Sequence, residues 1–330
     1  MMRLSDLYGD QSGIRRKENS FLIETQPGIF DDVNQKKRIH LLALGDVGSM
    51  LLIGLRLLGG DAVASIGICD VRPEVTQRFE REINQIGPPL EDGALPEVDI
   101  VDRARLFDCD MVVFCASKGV PPIGETAVDV RMAQMEENAA LVAGFARDAV
   151  RQGFRGKLAM VSDPVDPLCK AAYLQGLRRD QIQGYGLGVM NSRALYFAKK
   201  DDKFQSFLKE GRAFGPHGED LVIANSIEHY DAGLSLELTG LAVNANLEMR
   251  RSGFKPYIAP ALSSGALSIL AALRGKWNYS SVYFGEGARG AFLGVKNRWT
   301  RDGAEVEDLP LPEELYRRIK AAYDHLAALN

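Results

Sequence analysis

Short apolar runs alternate with longer amphipathic stretches over residues 38–183. Four of the apolar runs are typical of buried strands: RIHLLALG, AVASIGICD, DMVVFCAS and KLAMVSDP. The stretches between them, such as DVGSMLLIGLRLLGG, have the period of helices. Strands that alternate with helices predict an α/β fold with a doubly wound parallel sheet. Ligands of such sheets bind beyond the carboxyl ends of the strands.

The pattern differs on either side of this region, which predicts three parts. Residues 1–37 are polar, and we predict an N-terminal extension that is either loosely ordered or an arm packed on another subunit. Residues 38–183 form a first, ligand-binding domain. Residues 184–330 combine shorter strands with long helices, so we predict a mixed α+β second domain that carries the catalytic residues.

Composition removes several classes of function. The formal net charge of −4 provides no basic surface for nucleic acid, and nothing indicates attraction to a membrane. The N-terminus lacks the apolar core of a signal peptide, and no stretch has 18 uninterrupted apolar residues. The four cysteines show no zinc-like spacing. We therefore expect a cytoplasmic protein without a metal site.

The first strand and helix are joined by ALGDVG, residues 43–48. Aligned on Gly45 and Gly48, this turn is a dinucleotide-binding fingerprint whose first glycine is replaced by Ala43. Glycines let backbone N–H groups and the helix N-terminus approach a pyrophosphate. A tight turn in any βα unit could produce the same letters, but here the motif follows a strand and opens a helix. We predict that Gly45, Val47 and Gly48 bind the cofactor of a Rossmann-type domain.

The choice of dinucleotide depends on Asp70, which lies 22 residues after Gly48 at the end of the second strand. An acid there accepts hydrogen bonds from the adenosine ribose and repels a 2′-phosphate, which favours NAD over NADP. Asp46, inside the turn, and Arg72, which could accommodate a phosphate, count against NAD. We weigh Asp70 more heavily because it sits at the strand end itself, and we predict NAD as the cofactor.

His217 is the candidate for proton transfer among the four histidines. It stands in GPHGED, residues 215–220, where a turn can bring the imidazole close to a ligand. A loop histidine that bonds only to backbone is an equal alternative on local sequence alone. VSDPVD, residues 161–166, places Asp163 and Asp166 beyond the end of a strand, on the ligand side of the sheet.

Together these segments resemble the lactate/malate dehydrogenase family over about residues 38–328. GPHGED resembles the family's G-E-H-G-D segment, and GYGLGVMNSR, residues 184–193, resembles its G-x-G-x-x-L-D-x-x-R segment. VSDPVD resembles a strand end usually written N-P-V-D, and DVR, residues 129–131, resembles the mobile loop. These matches are specific together and not singly.

The resemblance implies an oxidoreductase that transfers a hydride between NAD and a 2-hydroxy or 2-keto acid. His217 would transfer the proton, Arg193 would hold the substrate carboxylate in its planar fork, and Arg131 would polarise the substrate carbonyl. The resemblance also places four further residues at the site: Cys115, Ala116 and Asn138 at the cofactor and Ser263 at the substrate. Helix capping explains the hydroxyls of Ser263 and Ser264 equally well. The family further implies a homo-oligomer, either a dimer or a tetramer.

Two departures from the family pattern bear on catalysis. The family's acid that orients the histidine falls on Met190, and its substrate-side asparagine falls on Asp163. Our hypothesis is that the changes are linked and that Asp163 pairs with His217; the alternative is that Asp163 only caps a turn. Pro122 and Ile123 stand where malate-specific members place an arginine, so we expect a substrate other than malate.

These departures leave alternatives open. If they abolish turnover, the chain is an NAD-binding or regulatory protein of the same fold. A weaker third alternative is a redox-assisted glycosidase with a metal held by Cys169 and His217, which the ligand spacing disfavours. The presence of His217, Arg193 and Arg131 together favours the dehydrogenase.

Overall fold

The computed structural model describes residues 2–8, 13–24, 35–87, 95–118 and 128–329, with the backbone alone over 128–134. Its strands are β1 (Ile14–Arg16), β2 (Ser20–Glu24), β3 (Lys37–Leu42), β4 (Val63–Cys69), β5 (Glu97–Ile100), β6 (Met111–Phe114), β7 (Lys157–Met160), β8 (Ile182–Gly184), β9 (Arg212–Phe214), β10 (Val222–Ala224), β11 (Asn278–Phe284), β12 (Ala291–Thr300) and β13 (Gly303–Glu307). Its helices are α1 (Asp46–Leu58), α2 (Pro73–Asn84), α3 (Val128–Arg151), α4 (Val165–Leu174), α5 (Leu187–Ala198), α6 (Phe207–Glu210), α7 (Ala232–Arg251), α8 (Ser268–Leu273) and α9 (Glu313–Ala328). None of these helices is both long and apolar enough to cross a bilayer.

One mixed sheet organises the described chain. Its strand order is β1-β2-β13-β12-β11-β8-β7-β6-β3-β4-β5. The six strands from β8 to β5 run parallel, with β3 in the middle, β4 and β5 on one side, and β6, β7 and β8 on the other. This is the doubly wound Rossmann order, and it confirms the predicted fold class. The order in which the chain adds strands to the sheet reverses between β3 and β6. A ligand crevice is therefore expected at the carboxyl ends of these two strands.

Side chains alternate along the parallel strands and divide the core between the two faces of the sheet. In β6, Met111 and Val113 join the apolar cluster that contains α1, whereas Val112 and Phe114 join the cluster that contains α3 and α4. The strands are therefore buried on both faces, which explains their nearly continuous apolar runs.

The sheet continues without a break from the first predicted domain into the second. Strand β11 pairs antiparallel with β8 through Ser281 and Gly184, and β12 and β13 follow. The predicted boundary at residue 183 therefore falls within β8, and the division into domains stays a prediction. The separate β9–β10 hairpin carries His217 in the loop between its strands.

The described part of the N-terminal extension packs on its own chain, and its assignment as an extension or an oligomerisation arm stays a prediction. Strand β2 pairs antiparallel with β13 and extends the sheet. The Tyr8 ring lies 5.6 Å from that of Phe21 and 5.1 Å from that of Phe284. The segment is polar on average, but its few apolar side chains are concentrated in LSDLY and SFLIE, which are largely buried.

Candidate active site

The turn between β3 and α1 has the backbone geometry of a phosphate-binding loop. Ala43 has φ 76°, the left-handed region that favours glycine and costs other residues about 1–2 kcal/mol. A Cβ added to Gly48 would lie 2.1 Å from the Ala43 carbonyl oxygen, so only glycine lets α1 begin this close to β3. Among the described residues, a Cβ added to Gly45 would meet nothing within 4 Å, and no side chain caps α1. The open helix N-terminus fits a pyrophosphate.

The two glycines make a matched pair of variants. Gly48→Ala is expected to lower the free energy of unfolding by about 1–3 kcal/mol, because the backbone must shift. Gly45→Ala is expected to leave stability nearly unchanged and to weaken NAD binding, because its methyl group enters the open space. Thermal unfolding and calorimetric titration with NAD check both results. Equal NAD affinity for Gly45→Ala and the wild type would argue against a pyrophosphate at this turn.

Asp70 holds this turn against the end of β4. Its Oδ2 accepts a 2.8 Å hydrogen bond from the Leu44 N–H, and its Oδ1 accepts one of 3.0 Å from the Arg72 N–H. A carboxylate has about four lone-pair positions, so acceptor capacity remains for ribose hydroxyls. The negative charge of Asp46 has a partner that sequence analysis missed, since Lys255 Nζ lies 3.1 Å from its Oδ2.

Asn138 and Ser162 connect the loops that follow β6 and β7. The Asn138 side chain is buried; its Oδ1 accepts from the Lys118 N–H at 2.8 Å and its Nδ2 donates to the Asp163 carbonyl oxygen at 3.1 Å. The Ser162 hydroxyl donates to the Ala116 carbonyl oxygen at 2.7 Å. Sequence analysis assigned Asn138 to the cofactor; in the structure its amide positions the turn that carries Asp163.

Asp163 and His217 form a pair across the site. The Nδ1 of His217 lies 3.0 Å from Oδ1 of Asp163. The imidazole is mostly buried, with 17% of its side chain exposed, whereas 63% of the Asp163 side chain is exposed. The structure therefore brings together the two residues that the hypothesis of linked changes connects. The bond also fixes the imidazole so that its other nitrogen, Nε2, is available to a substrate.

The charges around His217 favour its protonated form. Burial alone lowers the pKa of the imidazole, and Arg193 acts in the same direction. The carboxylates of Asp163 and Asp166 outweigh these effects, so the pKa of His217 is raised above its ordinary value. A raised pKa maintains a proton donor near neutral pH.

Arg193 presents one edge of its guanidinium group. Its Nη1 donates to the Met190 Sδ at 3.4 Å and to the Ala242 carbonyl oxygen at 3.2 Å. Its Nε and Nη2 have no hydrogen-bond acceptor among the described residues, and these two groups form the fork that binds a carboxylate. Met190 is buried and contacts Arg193, so the residue at the family's acid position supports the arginine in this chain.

A third titratable group, Asp166, is buried beside the pair. Its side chain is 3% exposed, and its Oδ1 has no hydrogen-bond partner among the described residues. Burial raises the pKa of Asp166 to about 7, while the Ser281 hydroxyl and His217 act to lower it. Sequence analysis placed Asp166 on the ligand side of the sheet; the signal for its proximity to His217 was its position three residues after Asp163.

Stability is expected to depend on pH through Asp166. Its folded pKa of about 7 lies above the ordinary value of 3.8, so the folded state binds more protons between these pH values. The free energy of unfolding should therefore fall by up to about 4 kcal/mol as the pH rises from about 4 to about 7. The raised pKa of His217 acts in the same direction. Denaturant unfolding at pH 5 and pH 8 should show a smaller difference for Asp166→Asn than for the wild type; equal differences would contradict this.

The remaining predicted site residues have these positions. The backbone of Arg131 lies in α3, but its side chain is outside the described residues. Cys115 lies against the β3–α1 turn, where its Cβ is 3.4 Å from a Cβ added to Gly48, and burial raises the pKa of its thiol to about 12. Ser264 is buried and bonds to the Gly186 carbonyl oxygen and the Val189 N–H, so it supports the start of α5. The site roles of Ser263, Val47 and Ala116 stay predictions.

The other histidines have partners outside this group of residues. His40 Nδ1 lies 2.8 Å from the Leu106 carbonyl oxygen inside the sheet, and His325 Nδ1 lies 2.5 Å from Asp220 Oδ2 on the surface. His229, with Glu210 and Glu228, is the one group of three metal-ligating side chains found close together among the described residues. Glu210 ends α6, Glu228 and His229 follow β10, and the group does not include Cys169 or His217.

Comparisons with known proteins find lactate and malate dehydrogenases. No family model matches the chain. The chain is 29% identical over 188 residues to an L-lactate dehydrogenase from Treponema denticola, covering 56% of each protein. It is 25% identical over 214 residues to a malate dehydrogenase from Sulfurimonas denitrificans, covering 63% of this chain and 62% of the relative. The chain thus spans less than two thirds of the length of these curated relatives.

Solved structures show the same fold over most of the chain. A minor L-lactate dehydrogenase from Enterococcus mundtii superposes with a TM-score of 0.73 at 19% identity, over 89% of this chain and 97% of that one. A malate dehydrogenase from Archaeoglobus fulgidus in complex with NADH gives a TM-score of 0.71 at 19% identity, over 88% and 97%. The chain is thus similar in sequence to lactate and malate dehydrogenases over part of its length and shares their fold.

Proposed function

We propose that this divergent relative of the lactate and malate dehydrogenases is an NAD-dependent oxidoreductase acting on a 2-hydroxy or 2-keto acid. The observation that carries the proposal is the 3.0 Å pair of His217 and Asp163 beside the free edge of Arg193. His217, Asp163 and Arg193 belong to the same edge of the sheet as the β3–α1 turn. Cys115 and Ser162, at the carboxyl ends of the strands, lie between that turn and these residues.

The residues of this chain divide the work of the reaction. NADH, when bound, supplies a hydride to C2 of the keto acid. Arg193 holds the substrate carboxylate through Nε and Nη2. His217 donates the proton on Nε2 to the carbonyl oxygen, while its Nδ1–H remains bonded to Asp163, which stabilises the imidazolium beforehand. Arg131 stays a prediction for the group that polarises the carbonyl.

The charge of the pocket indicates a monocarboxylic substrate. Asp163 is exposed, and its Oδ2 has no hydrogen-bond partner among the described residues, so a negative charge faces the substrate. A second substrate carboxylate would be repelled unless a cation lay near it. We therefore propose a 2-keto acid with an uncharged side chain, in preference to oxaloacetate.

A panel of 2-keto acids tests the proposed function. NADH oxidation is followed by its absorbance with straight-chain, branched and aromatic monocarboxylic 2-keto acids and with oxaloacetate. We expect turnover of at least one monocarboxylic acid, slower turnover of oxaloacetate, and weaker use of NADPH. NAD binding by calorimetry without turnover of any acid would instead support the alternative, a non-catalytic or regulatory protein. We also propose a cytoplasmic location and a homo-oligomer, which light scattering would measure.

A further inference from the structure

A second carboxyl group lies close to His217, and the chemistry above does not use it. Asp166 stands in the first turn of α4, three residues after Asp163. It is almost fully buried, and its Oδ1 has no hydrogen-bond partner among the described residues. A buried carboxyl group without full pairing is costly, so its position calls for a function.

Two glycines allow the first turn of α4 to approach His217. A Cβ added to Gly186 would lie 3.0 Å from both the His217 Cβ and the Val165 Cγ2, so His217 and the residue before Asp166 flank this glycine. A Cβ added to Gly184 would lie 2.6 Å from the Val165 Cγ1 and 3.0 Å from the Ser281 Cβ. Strand β11 thus meets α4 at Ser281, which supplies a hydroxyl to the Asp166 carboxyl group.

Few charged or titratable groups face this pair among the described residues. His217 is faced by Asp163 from the turn before α4, by Asp166 from α4 and by Arg193 from α5. Asp166 is faced by His217 and Asp163, and the buried Cys169 thiol lies one turn further along α4. Asp163 bonds to Nδ1 from the exposed side, whereas Asp166 makes no hydrogen bond to the imidazole among the described contacts.

Resting on the proposed function, we propose that Asp166 is a positioning residue, a buried second carboxylate that acts through space on His217 and favours its imidazolium form. Asp163 then orients the ring, and Asp166 adds negative charge from inside the protein. Because each charge stabilises the other, the two groups lose their protons in coupled steps. The proton-donor form of His217 persists to higher pH than Asp163 alone would allow.

NMR titration of the histidine side chains tests this proposal without requiring turnover. Four histidines are present, and His217→Gln identifies the signal of His217. The expected result is that Asp166→Asn lowers the pKa of His217 by about one unit while leaving the signals of His40 and His325 unchanged. An unchanged titration of His217 in Asp166→Asn would overturn the proposal. This readout separates its failure from failure of the proposed function.

A second variant keeps the test decisive if Asp166→Asn does not fold. Ser281→Ala removes the hydroxyl that favours ionised Asp166. We expect the pKa of His217 to fall in this variant, but by less than in Asp166→Asn. Ser280→Ala is the matched control, because the Ser280 hydroxyl bonds to Gln183, Asn278 and Asn297, away from Asp166. If Ser281→Ala titrates like the control, the proposal is wrong.

The pH dependence of kcat/KM distinguishes a positioning role of Asp166 from a merely structural one. For 2-keto acid reduction, kcat/KM of Asp166→Asn should equal that of the wild type at low pH, where His217 is protonated in both. At pH above the His217 pKa it should be about tenfold lower, the equivalent of a one-unit shift. A structural role would instead lower kcat/KM by the same factor at every pH.

Discussion

Asp163→Asn is expected to lower kcat for 2-keto acid reduction by about 10³- to 10⁴-fold. Loss of the acid that orients a catalytic histidine has an effect of about this size in serine proteases, where the wrong tautomer results. Here Asp163 is the residue bonded to Nδ1 of His217, and the family's acid position holds Met190. The measurement is steady-state NADH oxidation, together with NAD affinity, which should change little.

Asp220→Asn is the matched control for this variant. Asp220 also bonds to a histidine, since its Oδ2 lies 2.5 Å from Nδ1 of His325, but that pair joins the far end of the His217 loop to α9 on the surface. Its loss should leave kcat unchanged. If Asp163→Asn retains wild-type kcat and the same pH profile, Asp163 only shapes the turn before Pro164, and the hypothesis of linked changes is wrong.

Arg193→Lys is expected to lower kcat/KM by about 30- to 1,000-fold, the loss that follows when a buried charged pair is broken at a cost of about 2–4 kcal/mol. A lysine ammonium group carries the charge but cannot form two parallel bonds with a carboxylate. Most of the change should be in KM, because the carboxylate is held before and during hydride transfer. Steady-state kinetics over a range of keto acid concentrations measures the two constants.

Arg274→Lys provides the comparison for Arg193→Lys. Arg274 also makes a two-point bond to a carboxylate, that of Asp61, but on the surface between α1 and α8. The kinetic constants of the Arg274→Lys variant should match those of the wild type. An Arg193→Lys variant with an unchanged KM would show that the substrate carboxylate binds elsewhere.

The local pattern of apolar residues was sufficient to predict the parallel half of the sheet. Strands β3, β4, β6 and β7 are apolar on both faces, so their runs were visible in the sequence, and ALGDVG marked the turn at the topological switch point. The N-terminal strands were not predicted. Residues 1–37 are polar on average, and pairing of β2 with β13 joins segments about 280 residues apart, which no local pattern encodes.

In the candidate site, too, residues within motifs could be predicted from the sequence, whereas contacts between distant loops could not. His217 and Arg193 could be identified from their motifs, and the pairing of His217 with Asp163 could be proposed because the family's acid is missing. The bridge from Asn138 to the Asp163 carbonyl oxygen and the ion pair of Lys255 with Asp46 could not be predicted. Both depend on where distant loops meet, and the residue types involved are common on protein surfaces.

Transfer of deuterium from NADH tests the central claim most directly. The protein is incubated with NADH deuterated at C4 and the best substrate of the keto acid panel, and the product is examined by NMR and mass spectrometry. We expect one deuterium at C2 of the hydroxy acid from a single face of the nicotinamide, and none with His217→Gln. Consumption of NADH without deuterium in a 2-hydroxy acid, or labelling that persists in His217→Gln, would contradict the central claim.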